Sequence, residues 1–134
     1  MKTVEELMGG RKPVNPIGQC FDSAAWCLID LGSKMTMCHG IGVSNMPGEE
    51  KDFIAHAWLE AMHEGQKVAL DTTWMLAQPA DLYRKNLQLS YVIQYNYHDF
   101  IKLWADRGFP GPYDKRIAAV TKEGKALACS TLKS

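Results

Sequence analysis

Three residues carry the pattern of a covalent acyl-transfer site: Cys20, His56 and Asp71. Cys20 stands in Gly18-Gln19-Cys20-Phe21-Asp22-Ser23-Ala24-Ala25-Trp26, where a glycine-containing turn runs straight into a helical pattern, so the sulfur falls at a helix N-terminus. Free backbone amides and the positive end of the helix dipole stabilise an anion at such a place, which favours the thiolate, the nucleophilic form of cysteine. His56 opens the apolar, aromatic stretch His56-Ala57-Trp58-Leu59-Glu60, and Asp71 closes Lys67-Val68-Ala69-Leu70-Asp71 just ahead of Thr72-Thr73-Trp74. Both stretches read as strands, and the polar His63-Glu64-Gly65-Gln66 between them reads as a hairpin connection. A turn centred on Glu64-Gly65 pairs His56 near Thr73 and Asp71 near Trp58, which brings the carboxylate near the imidazole. A carboxylate beside the imidazole fixes its tautomer and stabilises its charged form, completing an arrangement of nucleophile, base and orienting group.

The elements that must hold these residues are visible in the pattern of apolar positions. Phe21, Ala24, Ala25, Leu28 and Ile29 recur at helical spacing and form a stripe that can face a sheet, with Gly32 as the stop. Met35-Thr36-Met37-Cys38-His39-Gly40-Ile41-Gly42-Val43 reads as a strand between the helix and the histidine. Residues 1–8 suggest a short helix that halts at Gly9-Gly10, residues 11–16 a loop leading to the nucleophile, and residues 47–52 a charged loop bordering the cleft. Beyond Asp71, residues 79–85 suggest a short helix, residues 87–95 alternate like a strand, and residues 98–107 look helical. Phe109-Pro110-Gly111-Pro112-Tyr113 is a rigid loop, and the tail past Lys115 carries weak, mixed signals. Asp22 and Ser23, in the first helical turn, can bond free backbone N–H groups there.

The order Cys, His, Asp, with His-Ala-Trp-Leu-Glu at the histidine and Leu-Asp-Thr-Thr-Trp at the aspartate, resembles the transglutaminase-like core of the papain-like cysteine enzymes. The resemblance implies an α+β fold in which a nucleophile helix packs on an antiparallel β-sheet. It covers a core of about residues 15–75 within a single domain spanning 1–134, leaving 76–134 as a C-terminal extension. It also implies roles: Cys20 as nucleophile, His56 as general base and acid, Asp71 as the residue that orients His56. A papain-type oxyanion glutamine lies several residues before the nucleophile, whereas Gln19 adjoins Cys20. The candidate oxyanion donors are the Cys20 backbone N–H and a second N–H or side-chain amide, with Gln19 and Asn15 as its candidate sources. Trp58 and Trp74 are placed as core or cleft-wall residues of the substrate-binding region. Arylamine acetyltransferases share the order of the three residues, but their domains are far longer.

Composition excludes several other classes. Fifteen basic residues balance fifteen acidic ones with no long block of either sign, so neither a nucleic-acid groove nor an anionic membrane surface is indicated. No stretch approaches about 18 consecutive apolar residues, and the charged first residues lack the apolar run of a signal peptide. These features give the expectation of a soluble, cytoplasmic protein whose four cysteines are reduced. At 134 residues and 46% hydrophobic, the chain can bury a core without staples. No Cys-x-x-Cys or His-x-x-x-His spacing supports a metal site, and no cofactor is expected.

Each residue alone has an ordinary reading: Cys20 as a buried thiol, His56 as a strand residue, Asp71 as a turn residue. Together they suit attack on an amide carbon, with a thioester resolved by water or an amine. The expectation is a cysteine hydrolase acting on a peptide, isopeptide or other amide bond in a protein or peptide substrate. An amine-accepting transferase and a catalytically silent protein-binding scaffold remain as alternatives. Cys27, two turns down the helix, and Cys38 and Cys129, which lack a base nearby, read as structural. His63 and His98 are placed toward solvent or loops.

Overall fold

The computed structural model describes residues 20–43 and 53–121. The expected helix at 1–8, the loops at 11–16 and 47–52, and Asn15, Gln19 and Cys129 lie outside the described residues.

The first described element is helix α1 (Cys20–Leu31), which buries Cys20, Ser23, Ala24, Ala25, Cys27 and Leu28. The small alanines let it approach the sheet closely. Ile29, expected on the inward stripe, is exposed, whereas Cys27, two turns below Cys20, is buried as its position implies. The helix ends at Gly32, whose φ of +89° lies in the left-handed region that glycine tolerates, with its N–H bonded to the Leu28 carbonyl at 2.9 Å. The Ser23 hydroxyl has no hydrogen-bond partner among the described residues, so it does not cap the helix as the sequence suggested.

Five strands follow: β1 (Thr36–Val43), β2 (Phe53–His63), β3 (Gln66–Asp71), β4 (Leu76–Pro79) and β5 (Tyr91–Asn96). They form one antiparallel sheet in the order β4-β3-β2-β1-β5, so the protein is α+β. The β2–β3 connection is a two-residue turn in which Glu64 and Gly65 both take positive φ, 53° and 78°, the condition for the turn that matches strand twist. It sets His63 opposite Gln66 and Leu59 opposite Leu70, the register read from the position of Gly65.

Residues beyond 75 complete the sheet rather than hang from it. β4 supplies one edge and β5 the other. β4 is four residues long and ends in proline, which an edge strand accepts and an interior strand does not. Between them, α2 (Ala80–Asn86) buries Ala80 and Tyr83. It runs up to Leu87, its C-cap, so the strand expected from 87 begins only at Tyr91. The Leu87 carbonyl instead accepts from the Val43 N–H, and the Ser90 N–H donates to the Ile41 carbonyl. Helix α3 (Tyr97–Arg107) is capped by Asn96, whose side chain accepts from the Asp99 N–H, and it leans on α1 through an edge-on contact of Trp26 with Trp104. The weakly patterned tail holds α4 (Lys115–Val120), capped by the Asp114 carboxylate, with Ile117 fully buried.

Two cores lie on the two faces of the sheet, as strand alternation requires. Met37, Ala57, Leu59, Val68 and Leu70 join α1 and Phe100 on one side. Cys38, Trp58 and Ala69 join Ala80 and Tyr83 on the other. Trp58 packs so closely over Gly40 that a Cβ there would sit 2.9 Å from its ring. Among the described residues no helix is long and apolar enough to cross a membrane.

Candidate active site

β2 presents His56, Trp58 and Glu60 on one face, spaced by two. Gly40 of β1 pairs with His56, and the space a side chain would fill there is taken by the Trp58 ring, while the His56 ring meets β3. There Nε2 meets Asp71 Oδ2 at 2.9 Å, with both side chains buried. Asp71 is the last residue of β3, and the turn behind it folds onto its side chain. The N–H groups of Thr73 and Trp74 donate to Oδ1 at 2.9 and 3.0 Å. An aspartate ahead of a turn makes such bonds readily, which explains why Asp-Thr-Thr-Trp ends the strand there. Tyr83 of α2 donates its hydroxyl to Oδ2 at 2.6 Å.

The electrostatics follow from this bonding. Burial opposes the charge on Asp71, yet its bonds to His56, Tyr83 and Trp74 and the nearby imidazole hold its carboxyl below the usual carboxylate range. An ionised Asp71 can only accept, so His56 carries its proton on Nε2 and leaves Nδ1 for another partner. Cys20 lies close enough to the same ring for its side chain to raise the imidazole's proton affinity. The sulfur lies over the β2 backbone, 4.0 Å from the carbonyl oxygen of Ala55, the residue before His56. Burial by itself would push His56 down, but its bonds to Asp71 and Cys20 and their charges outweigh that, and its pKa rises to about 10. The structure thus brings Cys20, His56 and Asp71 together around one buried imidazole.

Other expected residues fall differently. Trp58 is fully buried, lies near-parallel to the His56 ring with centroids 6.3 Å apart, and donates its indole N–H to Glu60 at 2.8 Å. It supports the ring from inside the second core and offers no surface to a substrate. Trp74 is 48% exposed beside Asp71 and can border a cleft. His63 points toward Glu64 at 3.7 Å.

Sequence reading missed the carboxylate of Glu60, which is wholly buried. Arg84 of α2 grips it with two bonds, 2.9 Å from Nε and 2.8 Å from Nη2, and Lys67 stands 3.8 Å away. This fork ties α2 to β2 and so sets where Tyr83, the preceding residue, stands. The signal available was a charged residue at an inward position of an apolar strand, which demands a partner. Cys38, in the same core, has its thiol pushed far up by burial and by the Glu60 charge, so it is not a competing nucleophile. Among the described residues no group of three or more His, Cys, Asp or Glu side chains converges to hold a metal ion.

No family model, curated protein or solved structure matches the chain.

Proposed function

We propose that this chain is a cysteine-dependent acyl-transfer enzyme on a papain-like, transglutaminase-like scaffold, hydrolysing a peptide, isopeptide or other amide bond. The observation that carries the reading is the buried His56–Asp71 bond of 2.9 Å, which leaves the other ring nitrogen for Cys20. Cys20 passes its thiol proton to Nδ1 of His56, the thiolate attacks the amide carbon, and the oxyanion forms against the Cys20 backbone N–H and a second donor from Gln19 or Asn15. As the C–N bond breaks, His56 gives its Nδ1 proton to the leaving nitrogen, and a thioester remains. Water then attacks with His56 taking its proton, the C–S bond breaks, and the acid departs. Asp71 stays ionised throughout and holds the ring in place. Trp74 borders the substrate. The described cysteines, Cys20, Cys27 and Cys38, are free thiols, which suits a reducing compartment such as the cytoplasm.

Intact-mass measurement tests this reading. The protein is incubated with a library of peptides bearing glutamine amides and Nε-acylated lysines, then quenched in acid. The expected result is a hydroxylamine-sensitive acyl adduct on Cys20, absent in Cys20→Ala, with free acid accumulating. Acyl groups appearing on an added amine would assign a transferase. Peptide retention with no adduct and no turnover would contradict the enzyme and favour the binding scaffold.

A further inference from the structure

Asp71 is served by four donors, two on each oxygen: the N–H groups of Thr73 and Trp74 on Oδ1, His56 and Tyr83 on Oδ2. The backbone pair would suffice to hold the carboxylate in its turn. The Tyr83 hydroxyl instead goes to the oxygen that faces the histidine, over a bond of 2.6 Å. We propose that Tyr83 is a positioning residue of this site, whose hydroxyl aims Asp71 Oδ2 at His56 and takes up part of that oxygen's charge, so that His56 releases its proton more readily to a leaving group. This role rests on the acyl-transfer reading and deepens it.

Three features make the tyrosine a fixed donor. Its ring is 3% exposed and packs against Trp58 with centroids 5.5 Å apart. Its neighbour in the helix, Arg84, is anchored by two bonds to Glu60. Burial and the adjacent Asp71 charge keep the phenol protonated, so it donates at every working pH. A carboxylate oxygen shared between two donors stabilises the imidazolium less than one bonded to the imidazole alone. A hydrogen bond that merely fastened α2 to β3 would affect folding and leave the histidine's proton affinity unchanged.

The test compares wild type with Tyr83→Phe, which keeps the ring packing. The His56 titration is followed by NMR of the labelled imidazole, and the iodoacetamide rate at Cys20 is followed against pH. In Tyr83→Phe the His56 midpoint should rise by about half to one pH unit, the size expected for one lost hydrogen bond. The alkaline limb of the Cys20 profile should move with it, and kcat for amide hydrolysis should fall about tenfold with little change in KM. Site-specific 3-fluorotyrosine at position 83, a more acidic donor, should shift the midpoint the opposite way, and it serves also if Tyr83→Phe does not fold. A lower melting temperature with an unmoved His56 midpoint and Cys20 profile overturns the inference and leaves the acyl-transfer reading intact. A wild-type Cys20 no more reactive than Cys27 or Cys38 overturns that reading and this role with it.

Discussion

His39 and His56 lie on adjacent strands, one position out of register, since Gly40 is the residue that faces His56 and Ala57 the one that faces His39. They therefore turn to opposite faces of the sheet, and both are buried. Around His39 stand four rings, Phe21 at 4.7 Å, Tyr95 at 5.2 Å, Phe100 at 5.7 Å and Tyr113 at 6.1 Å between centroids, and Gly111, where a Cβ would sit 2.6 Å from the imidazole. Neither of its nitrogens has a hydrogen-bond partner among the described residues, and burial lowers its pKa to about 3. His56 meets the same penalty but has a carboxylate on Nε2 and the Cys20 side chain close by, and it rises to about 10. Burial alone makes a histidine a neutral filler; partners turn it into a store for a proton.

The contrast can be broken most severely at Asp71. Asp71→Asn keeps the shape but removes the charge, so His56 loses the group that offsets its desolvation. Its pKa should fall well below about 10, Cys20 alkylation at neutral pH should drop by about a hundredfold or more, and urea titration should show a loss of about 3 kcal/mol. Next comes the fork beneath the site. Arg84→Met leaves the wholly buried Glu60 without its main partner and should cost about 3 kcal/mol in the same assay, with a smaller loss of Cys20 reactivity as α2 loosens. Gly40→Ala would push on the Trp58 ring and on the Tyr91 carbonyl, both 2.9 Å from the new carbon. It should lower stability by about 1–3 kcal/mol.

The two histidines also predict opposite limbs in the dependence of stability on pH. The folded pKa of His56 lies above the ordinary 6.5, so its contribution is full below 6.5 and is lost as pH climbs toward about 10. His39 is held below 6.5, so the unfolded chain binds the extra proton and stability falls as pH drops from 6.5 toward about 3. Each limb has a slope of up to about 1.4 kcal/mol per pH unit. Asp71, lowered from 3.8, adds to the acid limb only at pH below that value. The window from about 6.5 to 4 therefore belongs mainly to His39. The smallest expected effect at neutral pH is that of His39→Leu, a change of less than about 1.5 kcal/mol. Its denaturation series against pH should nevertheless lose the acid slope in that window. A slope that persists would place the acid-sensitive group elsewhere.

The elements around the chemistry were legible where local rules decide. Gly65 fixed the hairpin register, and with it the approach of Asp71 to His56. Gly32 marked the end of α1. What escaped depends on distant partners. Nothing near Tyr83 in the chain announces Asp71, and the Glu60–Arg84 pair joins a strand to a helix across a core. β4 is too short to show alternation. Leu87 and Leu89 continue an alternating pattern that points to a strand from 87, yet they pack under the second core outside β5. Periodicity places Ile29 inward, but the helix faces the sheet with Ala24, Ala25, Cys27 and Leu28, which leaves Ile29 exposed.

The central claim is that Cys20 and His56 act as a thiol–imidazole pair. Its most direct test is the iodoacetamide modification rate of every cysteine between pH 4 and 10, mapped by peptide mass spectrometry in wild type and in His56→Ala. The pair predicts that Cys20 reacts faster than Cys27, Cys38 and Cys129 and slows at least about tenfold without His56. A Cys20 that reacts no faster than the other three, or is indifferent to the loss of His56, would contradict it.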